Sequence, residues 1–149
     1  MLAVVSPVAY GLSVVVGLGA CAGACVAARL RPGPWTLHVA RLVGLCLAVD
    51  ACSYTIGLIV AGTWSARTSL PLALCDVAVL VAAVACLWRT PLLVELTYFW
   101  GLAGTLQAVI TPDLNVGYPH LVFFQYMVGH LGIVLAAFFL VVGAVHGNT

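Results

Sequence analysis

The chain alternates between long apolar runs and short breaks made of Pro, Gly and polar residues. Five runs, residues 2–28, 37–62, 71–88, 92–110 and 121–145, are long enough to be helical membrane spans. Crossing ~30 Å of hydrocarbon takes about 20 apolar residues of helix. The breaks carry residues that stop helices. Arg31–Thr36 reads RPGPWT, a polar TWSARTS follows the second run, Arg89-Thr90-Pro91 makes a tight turn, and TPDLNVGYPH separates the last two runs. Connections this short make sequential helices antiparallel, as in a helical bundle. The pattern therefore predicts an all-α, polytopic transmembrane bundle of about five spans, forming one integral membrane domain over residues 1–149.

Composition agrees with the pattern and removes several classes of function. Hydrophobic residues make up 64% of the chain and charged residues 6%, with a mean hydropathy of +1.22. A soluble domain carries about 25% charged residues, so this chain could not cover a water-facing surface. There is no Lys, and five Arg nearly balance four acids. No basic face exists for a nucleic acid, which excludes that partner; membrane lipids are the expected surroundings. Arg29, Arg31, Arg41 and Arg89 flank one set of loops, against Arg67 alone on the other. Cytoplasmic loops collect Arg, which predicts a cell-membrane protein with its N-terminus outside and its C-terminus in the cytoplasm.

The first run has two readings. Leu18–Cys21 (LGAC) is similar to a lipoprotein cleavage box, but no positive charge precedes its long apolar core. A retained helix is the expectation. Its Gly19-x-x-x-Gly23 and Ala20-x-x-x-Ala24 spacings would let a partner helix or a second copy approach closely.

Ionisable and strongly polar groups within spans cost free energy and usually face the bundle interior. Counted from the outer ends of their runs, Gln107, Cys75, Asp76 and Gln125 lie roughly 5–8 Å deep. Tyr54 lies about 12 Å down, and Asp50 and His130 about 14–18 Å. Asp50, Tyr54, Gln107 and Gln125 are thus candidates for an intramembrane polar binding cluster. Each also has a structural reading: the glutamines as interhelical hydrogen-bond donors, Asp50 and Tyr54 satisfying one another or Ser53, and Arg41 with Glu95 as an ion pair or snorkelling to the interface. The six Cys (21, 25, 46, 52, 75 and 86) all sit in apolar runs, where Cys packs as a small hydrophobe. Cys21 and Cys25 have no His or acid beside them to complete a zinc site. Neither a metal nor a cofactor is expected. No phosphate loop, G-x-S-x-G or H-E-x-x-H is present.

One stretch carries a family resemblance. LPLALCD (Leu70–Asp76), Tyr98-Phe99-Trp100-Gly101, Gln107, Thr111-Pro112-Asp113, Pro119-His120, Phe124-Gln125 and His130 follow one another across Ser69–Ala137. This region resembles the YwaF-like family of bacterial integral membrane proteins. That family is distantly similar to animal multi-pass proteins that transfer acyl chains onto ether phospholipids, with a proposed cysteine nucleophile. The resemblance implies acyl transfer on a membrane lipid, with His130 at the matching position as base. Cys75, three residues beyond Leu72, either fills a small space beside Asp76 at the start of a helix or has moved into the role of thiol nucleophile, with Asp76 or Asp50 orienting the imidazole. A thiolate can attack an acyl ester when a neighbouring base takes its proton. The acyltransferase-like relatives have a Cys directly after the Pro and then a His; here Leu72 and Ala73 stand in those places. Family members usually continue for two further spans, so the resemblance also implies a C-terminally truncated member. Two other functions compete: a non-catalytic packing or assembly protein, and a small-solute or proton pathway along the graded polar positions.

Overall fold

The helices begin and end where local chemistry directs. Ser6 caps the first helix, its Oγ accepting the Ala9 amide hydrogen, and Pro7 fills the first helical position, where its missing N–H costs nothing. Helix α1 runs Pro7–Leu30 and α2 Trp35–Val60, with Pro32, Gly33 and Pro34 between them. Helix α3 covers Leu74–Trp88 and α4 Pro91–Ile110, again with Pro at the first position of α4. Helix α5 covers Leu121–His146. This computed structural model describes residues 6–67, 69–70, 74–114 and 117–146, and among them there is no strand. The expected starts of the first and third runs, at Leu2 and Pro71, lie outside the described residues.

The all-helical, multi-pass architecture is the one the apolar pattern predicts. Four helices, α1, α2, α4 and α5, are long and apolar enough to cross a membrane. The described part of α3, Leu74–Trp88, is apolar and has 15 residues.

Helix α5 is the hub. It packs against all four others, and α2 with α3 forms the other extensive contact. Helix α1 lies along α5 and makes little contact with α2, so a short connection does not here produce a packed pair. The Tyr10 hydroxyl, in the first turn of α1, donates to the Val109 carbonyl in the last turn of α4 at 2.6 Å. That places the starts of α1 and α5 at the same end of the bundle. Opposite them, the Arg89 guanidinium donates to the Thr36 carbonyl at 3.2 Å, tying the α3–α4 turn to α2. Arg41 and Glu95 are both exposed and do not pair with one another.

Small residues set how closely the helices approach. Ala78, Ala82, Ala83 and Ala85 make α3 almost smooth on its buried side. A Cβ added to Gly44 of α2 would meet the Ala83 carbonyl oxygen and the Cys86 Cβ, each at 2.9 Å. Gly101 meets Ala137 in the same way, also at 2.9 Å. The Gly19/Gly23 face of α1, by contrast, has nothing within 4 Å inside this chain.

Between α2 and α5 the contacts step in an antiparallel register: Leu47 over Gly132, Asp50 over Gly129, and Ser53 hydrogen-bonded to Gln125 at 2.9 Å. Near Leu47, Ala82 and Ile133, each 1% exposed or less, the interior is closed and apolar.

These contacts predict a contrast between two glycines of one helix. Gly44→Leu forces α2 away from the backbone of α3, and overpacking of this kind typically costs about 1–3 kcal/mol. Its thermal unfolding midpoint in detergent falls below that of the parent protein. Gly57→Ala, which meets open space, leaves the midpoint unchanged or raises it.

Candidate functional site

Above the apolar half of the bundle a cavity of about 650 Å³ opens between α2, α3 and α5. Helix α2 contributes Asp50 and Tyr54, α3 contributes Cys75 and Asp76, and α5 contributes Gln125 and His130. Six of the seven sequence-derived candidates thus line one space. The seventh, Gln107, does not. It is exposed, and its amide nitrogen donates to the Thr111 hydroxyl at 3.1 Å, one turn further along α4. Depth alone grouped Gln107 with the others; its angular position puts it on the outer surface.

Each side chain is placed by its local surroundings. Asp76 is in the first turn of α3, where the partial positive charge of the helix N-terminus favours a carboxylate. The Asp50 carboxylate rests against Gly129, where an added Cβ would come within 3.2 Å of its Oδ2. A side chain at 129 would press directly on the acid. Among the described residues, the carboxylates of Asp50 and Asp76 accept no hydrogen bond, and no basic side chain of Lys or Arg lines the cavity. Ser53 does not turn to the Asp50 carboxylate; its hydroxyl donates to the Asp50 backbone carbonyl at 2.8 Å.

His130 is the most constrained member. Its Nδ1 lies 2.8 Å from the Tyr126 carbonyl oxygen. A carbonyl can only accept, so Nδ1 carries a hydrogen, and Nε2 holds the lone pair of the neutral ring. The Tyr126 ring stacks on the imidazole, with centroids 4.0 Å apart and planes at 26°. The Tyr126 hydroxyl in turn donates to the Ala108 carbonyl at 2.7 Å. The expectation that Asp76 or Asp50 orients the ring is thus not met: no hydrogen bond joins either acid to His130, and the helix's own carbonyl does the orienting. Nor does a hydrogen bond join Cys75 to His130.

Several lining residues carry no signal on depth or charge alone. Tyr126 belongs to the site through its i, i+4 relation to His130, which places both on one face of α5. Cys52 of α2 brings a second thiol to the cavity, and Asp113 from the α4–α5 connection a third carboxylate. Ser69 and Thr55 add hydroxyls. Thr55 is one residue beyond Tyr54 and Cys52 lies two beyond Asp50 on α2, while nothing in the sequence marks Ser69. Among the described residues no three of His, Cys, Asp and Glu converge to hold a metal ion.

The arrangement offers a thiol, a histidine with one basic nitrogen free, carboxylates without a partner among the described residues, and hydrogen-bonding side chains in one space of the bundle. Neither a curated protein nor a solved structure matches the chain. The sequence model of the TMEM164 family matches residues 4–145, which is almost the whole length. The chain is a multi-pass helical membrane protein that belongs to the TMEM164 family.

Proposed function

We propose that the protein transfers acyl chains between membrane lipids, the activity the YwaF-like resemblance implies, through a thioester on Cys75, which lies three residues beyond the relatives' cysteine position. The observation that carries this reading is the convergence of Cys75 and His130, from different helices, on one cavity. The ring hydrogen of His130 is committed at Nδ1, so Nε2 is the nitrogen that exchanges protons. As the sulfur attacks the acyl carbonyl carbon, Nε2 takes the thiol proton. The ester C–O bond breaks, and His130 returns that proton to the departing alcohol. A hydroxyl of the acceptor lipid then gives its proton to Nε2 and attacks the thioester carbon. The C–S bond breaks and the thiolate recovers the proton. Contact between thiol and imidazole forms with substrate bound, since catalytic hydrogen bonds are commonly long in empty sites and tighten in the complex.

Two features weigh this reading against its rivals. Within the cavity the polar lining reaches down to Asp50 and His130, and Leu47, Ala82 and Ile133 below them are buried and apolar. A dead-ended cavity suits a bound molecule better than a solute or proton route. A protein serving only to pack helices has no use for unpaired carboxylates within the membrane, which cost free energy. The Arg-rich end is read as cytoplasmic, so the cavity opens toward the outer leaflet.

Three outcomes follow. With purified protein in lipid vesicles holding an acyl-labelled phospholipid, Cys75→Ala abolishes the hydroxylamine-sensitive label on the protein, whereas Cys52→Ala retains it. Full labelling of Cys75→Ala contradicts the assignment of the nucleophile. His130→Ala lowers the rate of acyl transfer by about 10²–10⁴-fold, the usual contribution of a general base, while Gln107→Ala leaves it near the parent value. For sidedness, a membrane-impermeant maleimide on intact cells labels Thr63→Cys but reaches Gly33→Cys only after the membrane is opened.

A further inference from the structure

A second recess lies on the other side of the α2–α5 contact, an open groove of about 420 Å³. Leu45, Cys46 and Val49 of α2 form one wall, and Leu121, Phe124 and Val128 of α5 the other. All six are exposed. On membrane-spanning helices an exposed apolar groove has hydrocarbon for its neighbour. Asp50, Ser53 and Gln125 also line the groove, and two of these, Asp50 and Gln125, line the polar cavity as well. Between the two spaces the Gln125 side-chain amide donates to the Ser53 hydroxyl at 2.9 Å. An apolar channel facing lipid and a polar chamber thus share a wall.

We infer that the groove holds one acyl chain of a membrane lipid whose ester and head portion lie beyond Asp50 and Gln125 in the polar cavity. The match is one of polarity along the molecule's length. A free fatty chain alone would leave the polar chamber unused, and a soluble polar ligand would leave the groove unused. A diacyl or monoacyl lipid uses both, entering sideways from the bilayer once the Gln125–Ser53 hydrogen bond opens. Val49 and Val128 are 67% and 46% exposed, so the groove itself is already open to a chain. The inference deepens the acyl-transfer reading by naming where the chain lies, yet lipid binding here does not depend on any chemistry at Cys75.

The test uses the full chain in nanodiscs of phosphatidylcholine doped with a phosphatidylcholine bearing a photoreactive diazirine on one acyl chain. After illumination, adducts are mapped by peptide mass spectrometry. Label concentrates several-fold on Leu45, Val49, Phe124 and Val128 over the comparably exposed Val8, Leu12 and Val15 of α1. Val128→Trp fills the groove and lowers its label to the α1 level without changing label on α1. Val49→Trp does the same from the other wall, should the first variant fail to yield a monodisperse preparation. Even labelling over all exposed faces, with no effect of either Trp, means ordinary boundary lipid and overturns the inference. A groove that takes no label because a second copy or another helix covers it also overturns it. Assaying the same parent protein for the hydroxylamine-sensitive acyl label separates the two proposals. Groove labelling without a Cys75 thioester upholds the groove and sinks the transfer chemistry, and a thioester with even labelling does the reverse.

Discussion

The close, antiparallel approach of α2 to α5 determines what the rest of the molecule can do. Gly129 and Gly132 present no side chains, so Asp50 and Leu47 can lie directly against the α5 backbone. One residue of difference in that register has large consequences. Leu47 over Gly132 closes the apolar floor, Asp50 over Gly129 brings a carboxylate to the level of His130, and Ser53 beside Gln125 divides cavity from groove. Within hydrocarbon no water is available to satisfy a polar group placed wrongly. A slip along the helix would turn Asp50 toward lipid and strand the Gln125 amide.

Tyr126 links this contact to the opposite side of the bundle. The last carbonyls of a helix have no partner within it, and Ala108 and Val109 stand in the last turn of α4. Two tyrosine hydroxyls supply the missing donors, Tyr126 from α5 and Tyr10 from α1. The same Tyr126 fixes the tautomer of His130 through its carbonyl and supports the ring from one face. The imidazole is therefore held by main chain and aromatic packing, not by an acid. That frees the carboxylates of Asp50 and Asp76 to face whatever enters the cavity.

The helices were legible because hydrocarbon imposes a length and a polarity that few sequences meet by chance, and Pro7, Pro34 and Pro91 mark three starts. Cys75, Asp76, Asp50, Tyr54, Gln125 and His130 were legible as a group for the same reason: polar atoms in a span must face inward, and their depths overlap. Other features depend on tertiary packing that one helix cannot report. Helix α1 offers its Gly19/Gly23 face outward and packs on α5 through Gly17 and Cys21. Helix α4 contains a π-helical turn over Gly101–Thr105, where an extra residue in the turn rotates every later position by about 100°. Gln107 follows that turn. Thr105, within it, is fully buried with its hydroxyl unpartnered among the described residues. Nothing in the last run singles out Tyr126, because its role comes from what Ala108 lacks.

The central claim is the α2–α5 register, since cavity, floor and groove all follow from it. Its most direct test is cross-linking in native membranes with Ser53→Cys and Gln125→Cys, the other cysteines being replaced by Ser. A short bifunctional thiol reagent joins this pair in high yield within one chain, and fails to join Leu42→Cys with Gln125→Cys, three turns away along α2. Efficient joining of the second pair, or none of the first while both thiols still react singly, contradicts the register.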